Sequence, residues 1–212
     1  MRWLWRRGSS PAHNLFVTFE GGEGAGKSTQ ARLLAETLRG LGVPVCLTRE
    51  PGGAPAAEVL RSLLLNSAQE WSPAAETYLH FAARAEHLDQ TILPALAAGS
   101  WVVCDRFADS TMAYQGWGQG GDRALIAALT QLLPVQPSVT IVLTATPATA
   151  AARVAARAQA LDRYERQDAA FHARVRAGYD AIAAADPGRC RIVSADGPAE
   201  TVYALVCAAL GL

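Results

Sequence analysis

The chain has 212 residues, half of them hydrophobic, with 19 basic and 19 acidic side chains and a formal net charge of zero. That length suits one domain with a well-filled core, and the charge balance argues against a general nucleic-acid or membrane-surface binder, which would carry a basic excess. No apolar run approaches the roughly 20 residues of a membrane span, and Cys46, Cys104, Cys190 and Cys207, without a CxxC pair or a zinc-like His spacing, read as buried reduced thiols of a cytoplasmic protein.

Residues 1–14 contain a short basic and aromatic stretch, Met1-Arg2-Trp3-Leu4-Trp5-Arg6-Arg7-Gly8, too short for a signal-peptide core. They read as a disordered extension, with a basic-aromatic contact arm as the alternative, and residues 15–212 read as a single domain. Leu15 to Phe19 is a β-favouring run that leads into a glycine-rich turn. A helix follows Lys27 and closes at Gly40 and Gly42, and Val43 to Thr48 is a second strand. After Pro51-Gly52-Gly53 a helix is expected from Ala56 to Leu65. Ser72-Pro73 then caps a longer helix that runs to Gly99 with a kink near Pro94. Trp101 to Cys104 is a third strand, and helical segments lead from there to Leu133. Ser138 to Leu143 is a fourth strand. Ala148 to Ala185 is helical with an Arg-rich interruption near residues 156–163, Arg191 to Val193 is a last strand, and Pro198 to Leu210 a last helix. Strands alternating with helices imply an α/β fold, a parallel sheet covered on both faces.

Four groups of residues carry chemistry. Gly21-Gly22-Glu23-Gly24-Ala25-Gly26-Lys27-Ser28 fits GxxxxGK[ST] between a strand and a helix, the phosphate-binding loop of nucleoside triphosphate enzymes. Backbone N–H groups and the helix N-terminus would cradle a polyphosphate, Lys27 would neutralise it, Ser28 would ligate Mg²⁺, and Thr29 would stand beside the phosphates. Lys27 is also the only lysine in the chain. Glu23 is out of character beside a polyphosphate, and faces either solvent or a cationic partner. Asp105-Arg106 ends the third strand on the edge where open α/β sheets bind ligands, which suits Asp105 as a second Mg²⁺ partner. Arg49, at the end of the second strand, can fork onto an acceptor phosphate or form a surface ion pair. Phe81 and Arg84 share a helix face, either as a plate and fork for a planar base or as a core Phe beside a snorkelling Arg. The cluster Arg153, Arg157, Arg163 and Arg166 reads as a solvated helix face or as a lid over residues 150–166 that carries an Arg to a transferring phosphoryl group.

Taken together, these segments resemble bacterial thymidylate kinases. The resemblance rests on Phe19 to Thr29, on Thr48-Arg49-Glu50-Pro51-Gly52-Gly53, on Asp105-Arg106-Phe107 with Ser110-Thr111 and Ala113-Tyr114-Gln115-Gly116, and on Leu161-Asp162-Arg163-Tyr164-Glu165. It implies a P-loop three-layer sandwich with a five-stranded parallel sheet and a small helical lid, ATP and dTMP as substrates, Mg²⁺, and a homodimer. It further implies that Phe81 stacks on thymine, Arg84 bonds the base, and Thr111 and Gln115 line its pocket. Arg49 and Arg106 would hold the acceptor phosphate, and Tyr114 would disfavour a 2′-hydroxyl. Arg153 or Arg157 would supply the catalytic lid cation, and Glu23 would lie near the sugar. The chain departs from the family pattern at Phe107, where Tyr or His is usual, and in a lid that lacks the usual Gly after its second Arg. A kinase for another acceptor, or a nucleotide-binding switch, is the competing reading.

Overall fold

The computed structural model describes residues 15–66, 68–156 and 162–212; the expectations for residues 1–14 and for Arg157 lie outside them. Its five strands are β1 (Phe16–Gly21), β2 (Val45–Arg49), β3 (Trp101–Asp105), β4 (Val139–Thr144) and β5 (Cys190–Ser194). All are parallel and lie in the order β2-β3-β1-β4-β5. The helices are α1 (Lys27–Gly40), α2 (Pro55–Leu65), α3 (Pro73–His87), α4 (Leu93–Ala97), α5 (Ala108–Thr111), α6 (Arg123–Gln131), α7 (Pro147–Ala156), α8 (Ala169–Ala185) and α9 (Ala199–Leu210).

Alternation along the central strand sorts the core. Val17 and Phe19 of β1 pack with Leu34 and Leu38 of α1 and Val202 and Val206 of α9 on one face of the sheet. Phe16 points to the other face, among Leu88, Ile92 and Phe107. Its neighbour on that face two positions on, Thr18, bonds Thr140 of β4 through paired hydroxyls 2.8 Å apart. Two positions further on the same face stands Glu20, fully buried. A carboxylate at such a position needs partners, and it finds them in the site described below.

The local signals act as their chemistry requires. Ser72 caps α3 by accepting from Ala75 N–H, and Pro73 occupies the first turn. The kink expected near Pro94 takes the form of a π-helical stretch, Leu88–Ile92, just ahead of it. The wider turn accommodates a proline that has no N–H to give and whose ring would crowd the preceding turn. A second π-helical stretch, Met112–Gly118, follows α5 and carries Tyr114 and Gln115 to the interior. Cys104, Cys190 and Cys207 are buried and Cys46 is half-buried, all as free thiols.

Candidate active site

The carboxyl ends of β1, β2 and β3 open into one cleft of about 440 Å³, the expected ligand edge of a parallel sheet. Its floor is the loop from β1 to α1. Gly26 precedes α1 at φ 87° and no side chain caps the helix, so the first-turn N–H groups have no side-chain partner and face an anion site. Gly24, at φ 69°, lies so close to the backbone of Ala150 that a Cβ there would collide with it, and α7 thereby packs on the loop. Lys27 is buried and donates Nζ–H to the carbonyls of Gly21 (3.0 Å) and Gly22 (2.7 Å). Burial, reinforced by the nearby Arg106, pushes its ammonium down to about 8.

Ser28 Oγ donates a short hydrogen bond to Asp105 Oδ2, and Asp105 Oδ1 is buried without a partner. A hydroxyl and a carboxylate with spare lone pairs, beside the phosphate loop, form a hard-oxygen pair that fits Mg²⁺, an ion that keeps most of its shell as water and phosphate oxygen.

Arg106 is the centre of a hydrogen-bond cluster on the other side of the cleft. It is the only non-glycine described residue with positive φ, at 71°, a backbone cost met at functional sites. Its guanidinium donates to Glu23 Oε1 (2.6 Å), Tyr114 Oη (3.2 Å), Ser110 Oγ (3.2 Å) and the Gly21 carbonyl (3.3 Å). Glu23 thus faces a cationic partner, and it also accepts from Tyr114 O–H at 2.7 Å. Around this group, Glu20 accepts from the Phe107 N–H (2.7 Å), Ser110 O–H (2.6 Å) and Tyr179 O–H (3.1 Å). Burial, with Asp109 adding, pushes the Glu20 carboxyl up to about 7.

Arg49 is half-exposed, and its Nη2 donates to both carboxylate oxygens of Glu58 of α2, at 2.9 and 3.1 Å. Its sequence neighbour Glu50 turns the other way, into the interior, where it takes Arg84 Nε at 2.8 Å and His87 Nδ1 at 3.0 Å. Arg84 is the largest fully buried side chain, gripped between the rings of Phe81 (4.7 Å) and Phe107 (5.1 Å). Its Nη2 donates to Thr111 Oγ1 at 3.1 Å, whereas Nη1 is buried with no partner. Phe107 lines the cleft and Phe81 does not. The aromatic at 107 therefore exchanges the polar contact expected of a Tyr or His for a cation–π face.

Gln115 Nε2 donates to Glu76 (2.7 Å) and to Tyr164 Oη (3.3 Å). Tyr164 O–H itself donates to Glu76 at 2.7 Å and faces His80 Nε2 at 3.0 Å. Arg163 lies 2.8 Å from the other Glu76 oxygen, an ion pair whose N–H direction does not complete a hydrogen bond. Arg153 reaches the phosphate loop: its Nη1 is 3.4 Å from the Gly24 carbonyl while Nη2 donates to the carbonyls of Ala195 and Gly197.

The cleft thus gathers Glu23, Gly24, Gly26, Lys27, Ser28 and Thr29, together with Arg49, Arg84, Asp105, Arg106, Thr111, Tyr114, Gln115 and Arg153. Sequence reasoning assigned no role to Glu20, Glu50, Glu76, His80 or Tyr179. A glutamate set between the apolar run Leu15–Phe19 and the glycine-rich loop is the local signal for Glu20. Glu76 stands in the first turn of α3, where an acid is ordinary, and nothing local marks Tyr179.

Comparison with known proteins is consistent throughout. A family model described as thymidylate kinase matches residues 19–206. The chain is 54% identical over 200 residues to the thymidylate kinase of Gluconobacter oxydans (strain 621H), covering 92% of this chain and 94% of that one. It is 48% identical over 194 residues to that of Caulobacter vibrioides, covering 90% and 93%. The crystal structure of thymidylate kinase from Ehrlichia chaffeensis superposes with a TM-score of 0.79 at 37% identity, covering 94% of this chain and 99% of that one.

Proposed function

The chain belongs to the thymidylate kinase family and transfers the γ-phosphoryl group of ATP to dTMP, and from that premise we propose how its residues divide the work. The ATP polyphosphate lies along the loop from Gly21 to Thr29, under the N–H groups opening α1, with Lys27 leaving the Gly21 and Gly22 carbonyls for phosphate oxygens. Ser28 and Asp105 hold Mg²⁺, which when bound neutralises charge on the donor phosphates. The acceptor phosphate is held by Arg49 and Arg106, the latter turning part of its fork away from Glu23, which serves the sugar. Tyr114 fills the space of a 2′-hydroxyl. Arg153, already against Gly24, supplies positive charge over the transferring group. The other lid candidate, Arg157, stays in the proposal on sequence grounds alone. An acceptor that is already an anionic oxygen needs alignment and charge compensation more than a strong base.

The observation that carries the acceptor assignment is the unpartnered Nη1 of Arg84, buried on the base side of a cleft whose other end is the phosphate loop. A buried donor with no partner is costly, and a thymine carbonyl meets the need. Gln115 spends its N–H groups on Glu76 and Tyr164, leaving its carbonyl oxygen for the thymine N3–H, while Thr111 and Phe107, which line the cleft, frame the ring and Phe81, expected to stack on it, instead backs the Arg84 guanidinium. We place the homodimer contact on the outward faces of α2 and α3, where Val59, Leu63 and Tyr78 stand exposed, and the enzyme in the cytoplasm. Among the described residues no helix is long and apolar enough to cross a membrane. The test is a coupled ADP-release assay with ATP and Mg²⁺ against a panel of nucleoside monophosphates. Strong turnover with dTMP, weak with dUMP and none with AMP or CMP is expected. Equal turnover with AMP refutes the pocket assignments, and turnover that survives chelation of divalent ions refutes the roles of Ser28 and Asp105.

A further inference from the structure

We propose that Glu20 is the positioning residue of the acceptor-phosphate clamp: one buried carboxylate at the end of β1 sets both the backbone turn and the side-chain cradle of Arg106. The inference rests on the reading of Arg106 as the acceptor-phosphate residue.

No hydrogen bond joins Glu20 to the Arg106 guanidinium among the described contacts. Its action is through the surroundings. One oxygen, Oε1, takes the N–H of Phe107 at 2.7 Å, the first peptide after the left-handed residue. The Arg106 N–H is itself tied to the Phe19 carbonyl at 2.9 Å. The turn is thus pinned from β1 on both sides of its strained position, which a bulky side chain does not otherwise occupy.

The other oxygen, Oε2, takes the hydroxyls of Ser110 (2.6 Å) and Tyr179 (3.1 Å). Arg106 Nη1 lies 3.2 Å from that Ser110 oxygen and 3.4 Å from that Tyr179 oxygen. A hydroxyl has one proton and two lone pairs. The two hydroxyl oxygens also lie 2.9 Å apart; with the Ser110 proton on Glu20 and the Tyr179 proton on Glu20 or on Ser110, lone pairs of both oxygens face the guanidinium. An amide nitrogen in place of Oε2 would donate instead, turn the hydroxyl protons toward Arg106, and convert two acceptors into two like-signed dipoles. The arrangement therefore depends on the ionised, acceptor-only form of the carboxyl at position 20, as well as on its size.

The test is a double-mutant cycle on steady-state kinetics with Arg106→Ala. Glu20→Gln is expected to raise the KM for dTMP at least 10-fold while the KM for ATP moves less than 3-fold. In the Arg106→Ala background it should change neither further. Tyr179→Phe removes one relay without touching the strand, and should raise the dTMP KM in the same direction by a smaller factor. If Glu20→Gln yields no folded protein, Tyr179→Phe and Ser110→Ala carry the same cycle. Parallel changes in both KM values, or effects that multiply independently with Arg106→Ala, overturn the positioning role and leave the Arg106 reading intact. An Arg106→Ala enzyme with an unchanged dTMP KM overturns that reading, and the proposal with it.

Discussion

Deleting the hydroxyl of Tyr164 probes the buried cluster that joins residues 162–165, at the end of the expected lid, to α3. The hydroxyl proton goes to Glu76 Oε1 at 2.7 Å, so the oxygen must accept from His80 Nε2 at 3.0 Å and Gln115 Nε2 at 3.3 Å. Burial, with Arg84, Arg106 and Arg163 nearby, pushes the His80 imidazolium down to about 3, so the ring is neutral, and the accepting Tyr164 oxygen requires its Nε2–H tautomer. Tyr164→Phe removes one hydrogen bond to a carboxylate, worth ~1.5–3 kcal/mol. Glu76 keeps Gln115 at 2.7 Å, Gln119 at 2.8 Å and its ion pair with Arg163. His80 can shift its proton to Nδ1, so no charge is stranded. The expected loss is about 2 kcal/mol, or a Tm lower by roughly 4–8 °C at this chain length. Glu76→Ala differs in kind: it strands Arg163 together with three neutral donors, and should cost ~3–5 kcal/mol. Urea unfolding of the three proteins decides the matter. Equal losses for the two variants, or a Tyr164→Phe protein as stable as the parent, refute this account of where the proton sits.

Lys27→Ala should abolish turnover while leaving the circular dichroism spectrum and Tm nearly unchanged, and a near-normal rate would remove the loop from the mechanism. Tyr114→Ala should narrow the preference for dTMP over the corresponding ribonucleotide, read as a ratio of kcat/KM values; an unchanged ratio counts against sugar sensing. The Glu20 carboxyl stands raised from an ordinary 4.5 to about 7 in the fold, so the folded state holds that proton more tightly than the unfolded chain. Its stabilising effect is complete below pH 4.5 and lost as pH rises through 7, at most about 3 kcal/mol for 2.5 units. The stability difference between the parent and Glu20→Gln should therefore fall between pH 5 and 8, and a difference flat in pH refutes the assignment.

What the sequence made legible is what neighbours in sequence determine. Each expected strand appears within a residue or two of its limits, because an apolar run followed by a glycine turn needs no distant partner to be read. The phosphate loop is legible for the same reason: from its first glycine to Ser28, where the helix has begun, it occupies eight consecutive residues. The polar interior is different in kind. Glu20 meets Tyr179 across 159 residues and Glu76 meets Tyr164 across 88, and no periodicity encodes such pairs. Phe81 shows the boundary between the two. Helical spacing correctly placed it beside Arg84, but the guanidinium lies against the ring, and Phe107, from another segment, takes the cleft position. Arg49 does form the surface ion pair that is one reading of it, but with Glu58 of α2, because the turn after β2 sends the neighbouring Glu50 into the interior.

The same network explains why this site is built from arginine with a solitary lysine. The buried Arg84 and the partly buried Arg106 and Arg163 are already paired, with Glu50, Glu23 and Glu76 respectively. Such pairing is required because an unpaired buried cation is not stable. A lysine so paired would present a single nitrogen to both its carboxylate and its substrate. A guanidinium can give one edge to the carboxylate and another to the ligand, as Arg84 does in keeping Nε on Glu50 while Nη1 has no partner. At the phosphate loop the requirement reverses. A compact ammonium that binds two carbonyls of its own loop can exchange them for phosphate oxygens by a short movement, whereas a planar fork would not fit between them. Arg106 stands between these cases. Its pairing with Glu23 is direct and partly exposed, and can yield to a phosphate. Its hold on Ser110 and Tyr179 is fixed from behind by Glu20. A clamp that is loose toward the ligand and rigid toward the sheet can bind an acceptor without losing the alignment that transfer requires.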